Sequence, residues 1–347
     1  MIVDSHVHAY PAFGGASGHR SVAAHMRFLQ WMMAFHKQPT RRLDDSTEEA
    51  RQTLFEGSRY DFGGLTDVNF RSAGIGRLAW TADGTDYYKQ YLPPTLVDLS
   101  ASPGLMVAQM DHAGVDRAVK KHPTRFWALA QVSEWRLRHR SQRKRLAHAI
   151  DEERLHGLYF ETVMPALHGR SEMFDDPACH PFWDDVCDRN LPVFWAVTSA
   201  EPAPDPYMVQ LRSLARWLRR YPDVPCLLTH GITHTYFQRG NKVTVPEEIW
   251  EILTAPNLRL EILFPIQDGG SLEYPYAERW SLIRQFYERL GPEKLIWGSD
   301  MPNVERHCTY RQSLDYVRNY CDFIPPRHMD LICGENVKQL MGATGSA

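Results

Sequence analysis

The 347-residue sequence lacks the features of a secreted or membrane-bound protein. It has only six cysteines, none in a Cys-x-x-Cys spacing, so neither a disulfide scaffold nor a cysteine zinc site is predicted. It has no apolar run of about 18 residues. Asp4 and His6 stand where a signal peptide needs a basic and then an apolar segment. These absences favour a soluble cytoplasmic protein whose thiols are reduced and mostly buried.

The sequence also has little excess charge of either sign. Its 39 basic and 42 acidic side chains give a formal net charge of −3, which argues against a nucleic acid or an anionic membrane as partner. The one basic run, residues 136–145, includes leucines and is typical of the solvated face of a helix. We therefore expect a small-molecule substrate, and a homodimer stays open.

His6 and His8 are separated by one residue and follow a short run of β-branched residues. Side chains at this spacing on a strand point to the same face. Imidazole is the commonest metal ligand near neutral pH, so the pair predicts a metal site. The alternative is a surface strand with two unrelated histidines among the 16 in the chain.

Two further apolar runs end in residues that bind metals or carry protons. Residues 226–229 precede His230, and residues 295–297 lead to Asp300. Three strands that each deliver such a residue at the carboxyl end are typical of a parallel barrel with its site on one rim.

Eight apolar runs alternate with segments whose apolar residues have helical spacing, which predicts an α/β protein with a (β/α)8 TIM barrel. A doubly wound open sheet is the alternative. The predicted strands are residues 2–7, 115–119, 126–132, 158–160, 192–197, 226–229, 258–263 and 295–297.

Two connections depart from a regular barrel. Residues 9–102 are far longer than an ordinary βα loop, and we interpret them as a cap inserted over the barrel mouth of a single 1–347 domain. Within the cap, glycine-rich residues 60–91 predict a pair of strands. In contrast, residues 119–126 are too short for a helical crossover, so a helix is missing, a strand is misassigned or residues are absent.

Together these motifs resemble the amidohydrolase superfamily, in particular the branch that includes aminocarboxymuconate-semialdehyde decarboxylase. The resemblance implies a distorted barrel with one divalent ion at the carboxyl-terminal rim, zinc or alternatively manganese. It implies His6 and His8 as ligands, Asp300 as ligand and proton acceptor, and His230 as ligand or general acid/base. The matching segments are DSHVH at 4–8, MDHAGVDRAV at 110–119, RF at 125–126, ALA at 128–130, LTHG at 228–231, WGSDMP at 297–302 and GENV at 334–337.

One residue of the family pattern is absent. Members usually carry a histidine at the end of the fifth strand, where this chain reads Trp195-Ala196-Val197-Thr198. Other branches use a carboxylated lysine at the end of the fourth strand, where this chain has Glu161. Glu161 is therefore a candidate oxygen ligand, and the alternative is that it caps a turn or pairs with an arginine.

A divalent ion held in this way can activate water, with Asp300 to accept the proton. This chemistry favours a metal-dependent hydrolase. The first alternative is a metal-dependent non-oxidative decarboxylase, in which His230 protonates carbon. The second is a metal-independent barrel enzyme or binding protein that has lost its metal along with the fifth-strand histidine.

Arginine and aromatic side chains lie close together in the inserted segment. Arg71, Arg77 and Trp80 are candidate substrate-binding residues, because the planar guanidinium matches a carboxylate and an indole stacks on a ring. They predict a small carboxylated aromatic or unsaturated cyclic substrate. The alternative is that they build the core of the cap, with the arginines paired to neighbouring aspartates.

Overall fold

The computed structural model describes residues 1–9, 15–16, 21–36, 38–57, 62–98, 100–118, 125–199 and 203–342. They form two compact units, one of Met1–Val7 with Gln109–Ala347 and the other of His8–Ala108. The strands of both, β1 to β15 in chain order, are Val3–Asp4, Thr40–Arg42, Glu48–Glu49, Arg71–Ser72, Arg77–Ala82, Thr85–Gln90, Arg117–Ala118, Leu129–Gln131, Gly157–Glu161, Val193–Ala196, Cys226–Thr229, Gln238–Arg239, Lys242–Val243, Leu258–Ile262 and Leu295–Trp297. The helices, α1 to α12, are Val22–Phe35, Pro103–Ala113, Arg140–Ala147, Met164–Leu167, His180–Asp188, Pro204–Arg220, Glu247–Leu253, Phe264–Asp268, Trp280–Leu290, Tyr310–Arg318, Pro326–Asp330 and Asn336–Leu340.

The first unit is built on parallel strands. Six of them lie in the order β8-β9-β10-β11-β14-β15, and β1 pairs with β7 in parallel. Among these six, each strand lies beside the one that precedes it in the order of the chain. A doubly wound sheet, in contrast, reverses its strand order at one point. The last strand also meets the first, since the Ser5 N–H donates to the Trp297 carbonyl at 3.4 Å and Val7 bridges Met301. The predicted TIM-type barrel is therefore confirmed, while the short connection lies in 119–124, outside the described residues.

The barrel strands are apolar because they are covered on both faces. All residues of β10, β11 and β15 are buried, as expected for parallel strands under helices. Trp195 of β10 packs against both Trp183 of α5 and Trp217 of α6, with ring centroids 5.3 and 4.9 Å away. These aromatic contacts fix the helices against the sheet that positions the site.

The second unit is an antiparallel sheet in the order β3-β2-β6-β5-β4, accompanied by α1. The predicted strand pair is confirmed as β5 and β6, which turn through Asp83 and Gly84 at φ 50° and 73°, the positive angles of a two-residue hairpin. Lys89 ties β6 to α1 by donating to the Met33 carbonyl at 2.7 Å. The placement of this unit over the barrel mouth stays a prediction.

Other expectations concern thiols and membranes. All six cysteines are free, and four of them are buried, which agrees with the thiol state expected from their spacing. Within the described part of the chain, no helix has the length and apolar character needed to cross a membrane.

Candidate metal centre

Three of the predicted site residues come together at the carboxyl ends of their strands. His6 follows β1, His230 follows β11 and Asp300 follows β15. One ligand atom from each lies within 4.8 Å of those of the other two. His6 Nε2 is 3.7 Å from Asp300 Oδ1, and the rings of His6 and His230 are 4.8 Å apart between centroids. Two nitrogens and one carboxylate oxygen match the three-ligand set of catalytic zinc sites.

A fourth residue, Glu261 of β14, borders this cluster and was not predicted. Its Oε2 accepts from the His230 N–H at 2.6 Å and lies 3.4 Å from His6 Nδ1. Its Oε1 accepts from the Ser5 hydroxyl at 2.6 Å. The available signal was an acid inside the apolar run 258–263, since a buried carboxylate requires partners.

Asp4 was also missed, although it stands beside the histidine motif. Its Oδ1 accepts from the backbone N–H groups of His6 and Ser299, both at 3.0 Å. Its Oδ2 accepts from the Tyr310 hydroxyl at 2.8 Å and from the Ser299 hydroxyl. Burial raises the pKa of Asp4 to about 6 despite these bonds. This fully buried network joins the first strand to the segment that carries Asp300.

The electrostatics of the cluster favour a cation. Burial opposes a charge on His6, but the negative charges of Glu261 and Asp300 outweigh burial and raise the pKa of His6 to about 9. Burial also acts to raise the pKa of Glu261, yet the charge and hydrogen bond of His6 hold it below its ordinary value. A divalent ion among these groups would replace the proton of His6 as the positive charge. The residues present therefore fit a metal ion.

Two predicted ligands are placed differently. Glu161 ends β9 but does not belong to the three-residue group. Its pKa is raised by burial, and its charge contributes to the raised pKa of the buried Glu134. His8 is partly buried and is the first residue of the second unit. For both, the role of ligand stays a prediction.

The predicted substrate-binding residues make contacts within their own unit. Arg71 pairs with Asp86 at 3.0 Å, while Arg77 donates to Gln90 at 3.3 Å and lies 4.2 Å from the Tyr88 ring centroid. Trp80 is 1% exposed and donates to the Thr53 hydroxyl at 2.7 Å. The Arg71–Asp86 pair and the buried Trp80 agree with the alternative, whereas these Arg77 contacts are not to an aspartate. The role of all three in substrate binding stays a prediction.

The chain belongs to the amidohydrolase family, because the family model of that description matches residues 3–340. This agrees with the resemblance that the motifs carry. No curated protein sequence is significantly similar to the chain.

Solved structures with the same fold include two decarboxylases and a hydrolase. 5-Carboxyvanillate decarboxylase from Sphingomonas paucimobilis is 17% identical, with a TM-score of 0.51 over 72% of this chain and 86% of that one. Dihydroxybenzoic acid decarboxylase from Polaromonas sp. JS666, with manganese and 2-nitroresorcinol bound, is 14% identical, with a TM-score of 0.52 over 72% and 88%. A probable 2-pyrone-4,6-dicarboxylic acid hydrolase from Acinetobacter baumannii is 16% identical, with a TM-score of 0.51 over 71% and 90%. At these identities the likeness establishes the shared barrel fold.

Proposed function

We propose that this protein is a metal-dependent hydrolase that acts on a small, carboxylated aromatic or unsaturated cyclic substrate. The observation that carries the proposal is the convergence of His6, His230 and Asp300 at one barrel rim. We propose these three as ligands of one divalent ion, with His8 and Glu161 as further predicted ligands. The donor set suits zinc, and manganese is the alternative because a protein of the same fold binds it.

A bound divalent ion would supply a Lewis acid that polarises a carbonyl and activates water near neutral pH. The protein's own contribution is proton transfer and orientation. The Asp300 carboxylate takes the proton of the attacking water and later gives it to the leaving group. Asn303 donates to Asp300 Oδ1 at 2.9 Å, and the Asp300 N–H donates to the His6 carbonyl at 2.8 Å. These two bonds hold the acid in place between strands.

Non-oxidative decarboxylation is the second candidate. It is favoured by the decarboxylases among the proteins of similar fold. In that reaction the bond between the ring and its carboxylate breaks, carbon dioxide leaves, and the ring carbon accepts a proton from His230. In this second candidate His230 is the proton donor and not a ligand, so the ion would be held by His6 and Asp300 with the further predicted ligands His8 and Glu161.

The test is to load the purified protein with zinc or manganese and incubate it with aromatic carboxylic acids and with their lactones, esters and amides. Metal-dependent release of new acid without carbon dioxide is the expected result. Release of carbon dioxide instead would identify the decarboxylase. Turnover that persists after complete metal removal would support the metal-independent alternative and overturn the proposal.

We also propose a cytoplasmic location. The support is the free state of all six cysteines, since thiols persist in reducing compartments. Fractionation of the source cells tests this.

We also propose a homodimer as the oligomeric state. Light scattering of the purified protein tests it.

A further inference from the structure

We propose that Glu261 is a positioning residue of the metal centre, which sets the ligand atom of His6 and the backbone turn at His230. The inference rests on the proposed metal-dependent function. Glu261 itself is not a member of the cluster that could hold the ion. Its role is to act through the two histidines.

The position of Glu261 is over-determined by its neighbours. It is 2% exposed, and its two carboxylate oxygens engage Ser5, His6 and the backbone of His230. A Cβ at Gly298 would collide with this carboxylate, and a Cβ at Gly231 would lie 2.8 Å from the Glu261 carbonyl oxygen. The glycines leave the space that this side chain and strand occupy.

The contact with His6 Nδ1 decides which ring nitrogen can bind metal. A carboxylate 3.4 Å from Nδ1 favours the tautomer with the proton on Nδ1. Nε2 is then the nitrogen with a lone pair, and it is Nε2 that faces Asp300. The carboxylate also makes the imidazole more basic, which strengthens it as a ligand.

The contact with His230 acts on the backbone. The His230 N–H reaches the same Oε2 that faces His6. Glu261 Oε2 therefore orients the His6 ring and also fixes the direction of the backbone at His230. A buried charge is costly unless it is paired. The Glu261 carboxylate is paired with Ser5, His6 and the backbone of His230, which all lie in the segments that form the metal centre.

The experiment compares zinc affinity in the wild type, Glu261→Gln and the exposed control Glu251→Gln, by competition with a chromophoric chelator. Glutamine keeps the shape and an acceptor oxygen but removes the charge. We expect a 10–100-fold loss of zinc affinity in Glu261→Gln and none in the control. In nitrogen NMR spectra of the zinc-loaded wild type, His6, assigned with His6→Asn, should show a protonated Nδ1 and a metal-bound Nε2.

Unchanged zinc affinity in a folded Glu261→Gln, or a protonated Nε2 on His6, would overturn the inference. If Glu261→Gln does not fold, Ser5→Ala decides, because it removes only the bond to Oε1: a several-fold loss of affinity supports the inference and wild-type affinity overturns it. A wild type that binds no zinc or manganese would instead defeat the proposed function and this inference with it.

Discussion

His230 and Asp300 share a left-handed backbone conformation, with φ of 63° and 57°. Non-glycine residues in this region are uncommon, and each costs on the order of 1–3 kcal/mol, which surrounding contacts must sustain. The His230 N–H is held by Glu261 at 2.6 Å and the Asp300 N–H by the His6 carbonyl at 2.8 Å. The two strained turns therefore depend on partners within the metal centre itself, which supports a functional reason for the strain.

Gly298→Ala should destabilise the protein and weaken metal binding. The new Cβ would collide with the Glu261 carboxylate and lie 2.6 Å from the Ser5 hydroxyl. Overpacking of this kind costs about 1–3 kcal/mol. Chemical denaturation measures the loss, and Gly270→Ala is the matched control because nothing lies within 4 Å of its Cβ. Equal unfolding free energies for the two variants would contradict the predicted collision.

Asp268→Asn should cost about 3–5 kcal/mol of unfolding free energy, the range for breaking a buried ion pair. Asp268 accepts from Arg279 at 2.7 and 2.8 Å and pairs with His234 at 3.0 Å, and all three side chains are buried. Urea denaturation is the measurement. The exposed pair of Arg284 with Glu288 provides the control, since Glu288→Gln should change stability by less than about 1 kcal/mol. If Asp268→Asn lowered the unfolding free energy by less than about 1 kcal/mol, the contacts of Asp268 with Arg279 and His234 would not stabilise the fold.

Glu134 should make the protein less stable as the pH rises. Burial, and next the charge of Glu161, raise its pKa from 4.5 to about 8. Between these values the unfolded chain loses the proton and the folded protein keeps it, so stability falls through this window and levels off above it. The upper limit is on the order of 5 kcal/mol.

Denaturation at pH 5 and pH 8 measures this effect. The difference between the two pH values should shrink in Glu134→Gln and persist in the exposed control Glu251→Gln. If Glu134→Gln follows the wild-type pH dependence in parallel, Glu134 is already ionised in the folded protein.

Local patterns in the sequence predicted the barrel well. Short apolar runs bounded by helical segments identify parallel strands, and the residues that follow them, His230 and Asp300, meet His6 because the carboxyl ends of parallel strands share one rim. The turn at Asp83 and Gly84 was predictable for a similar reason, since its chemistry is contained in two adjacent residues.

Long-range pairing was not predictable in the same way. Glu261 contacts residues 31 and 255 positions away, and no local pattern encodes such partners. The inserted sheet contains strands of two or three residues, such as β2 and β3, which are too short to show alternation. The sequence therefore predicted only one pair of strands, whereas this sheet has five.

Arg77→Met should raise KM for acidic substrates and leave neutral substrates unchanged. Arg77 contacts two neutral groups, the Gln90 amide and the Tyr88 ring. Arg71, in contrast, is paired with the carboxylate of Asp86. Loss of one charge-assisted bond costs roughly 1.5–3 kcal/mol, read from kcat/KM. Arg71→Met is the comparison, and it should show the larger loss if Arg71 is the carboxylate-binding residue. Equal losses for acidic and neutral substrates would mean that the arginine stabilises the sheet instead.

Asp300→Asn and His230→Asn should separate proton transfer from metal binding. Asp300→Asn should lower kcat by about 10²–10⁴-fold, the contribution of a general acid/base, while part of the metal remains on the two histidines. If His230 acts on the substrate, His230→Asn should keep its metal and lose one limb of the pH–rate profile. If His230 is a ligand, as its place in the cluster indicates, the same variant should lose metal. Metal content by elemental analysis and kcat over pH 5–9 decide between these roles, and a variant with intact metal and an unchanged profile would remove His230 from both.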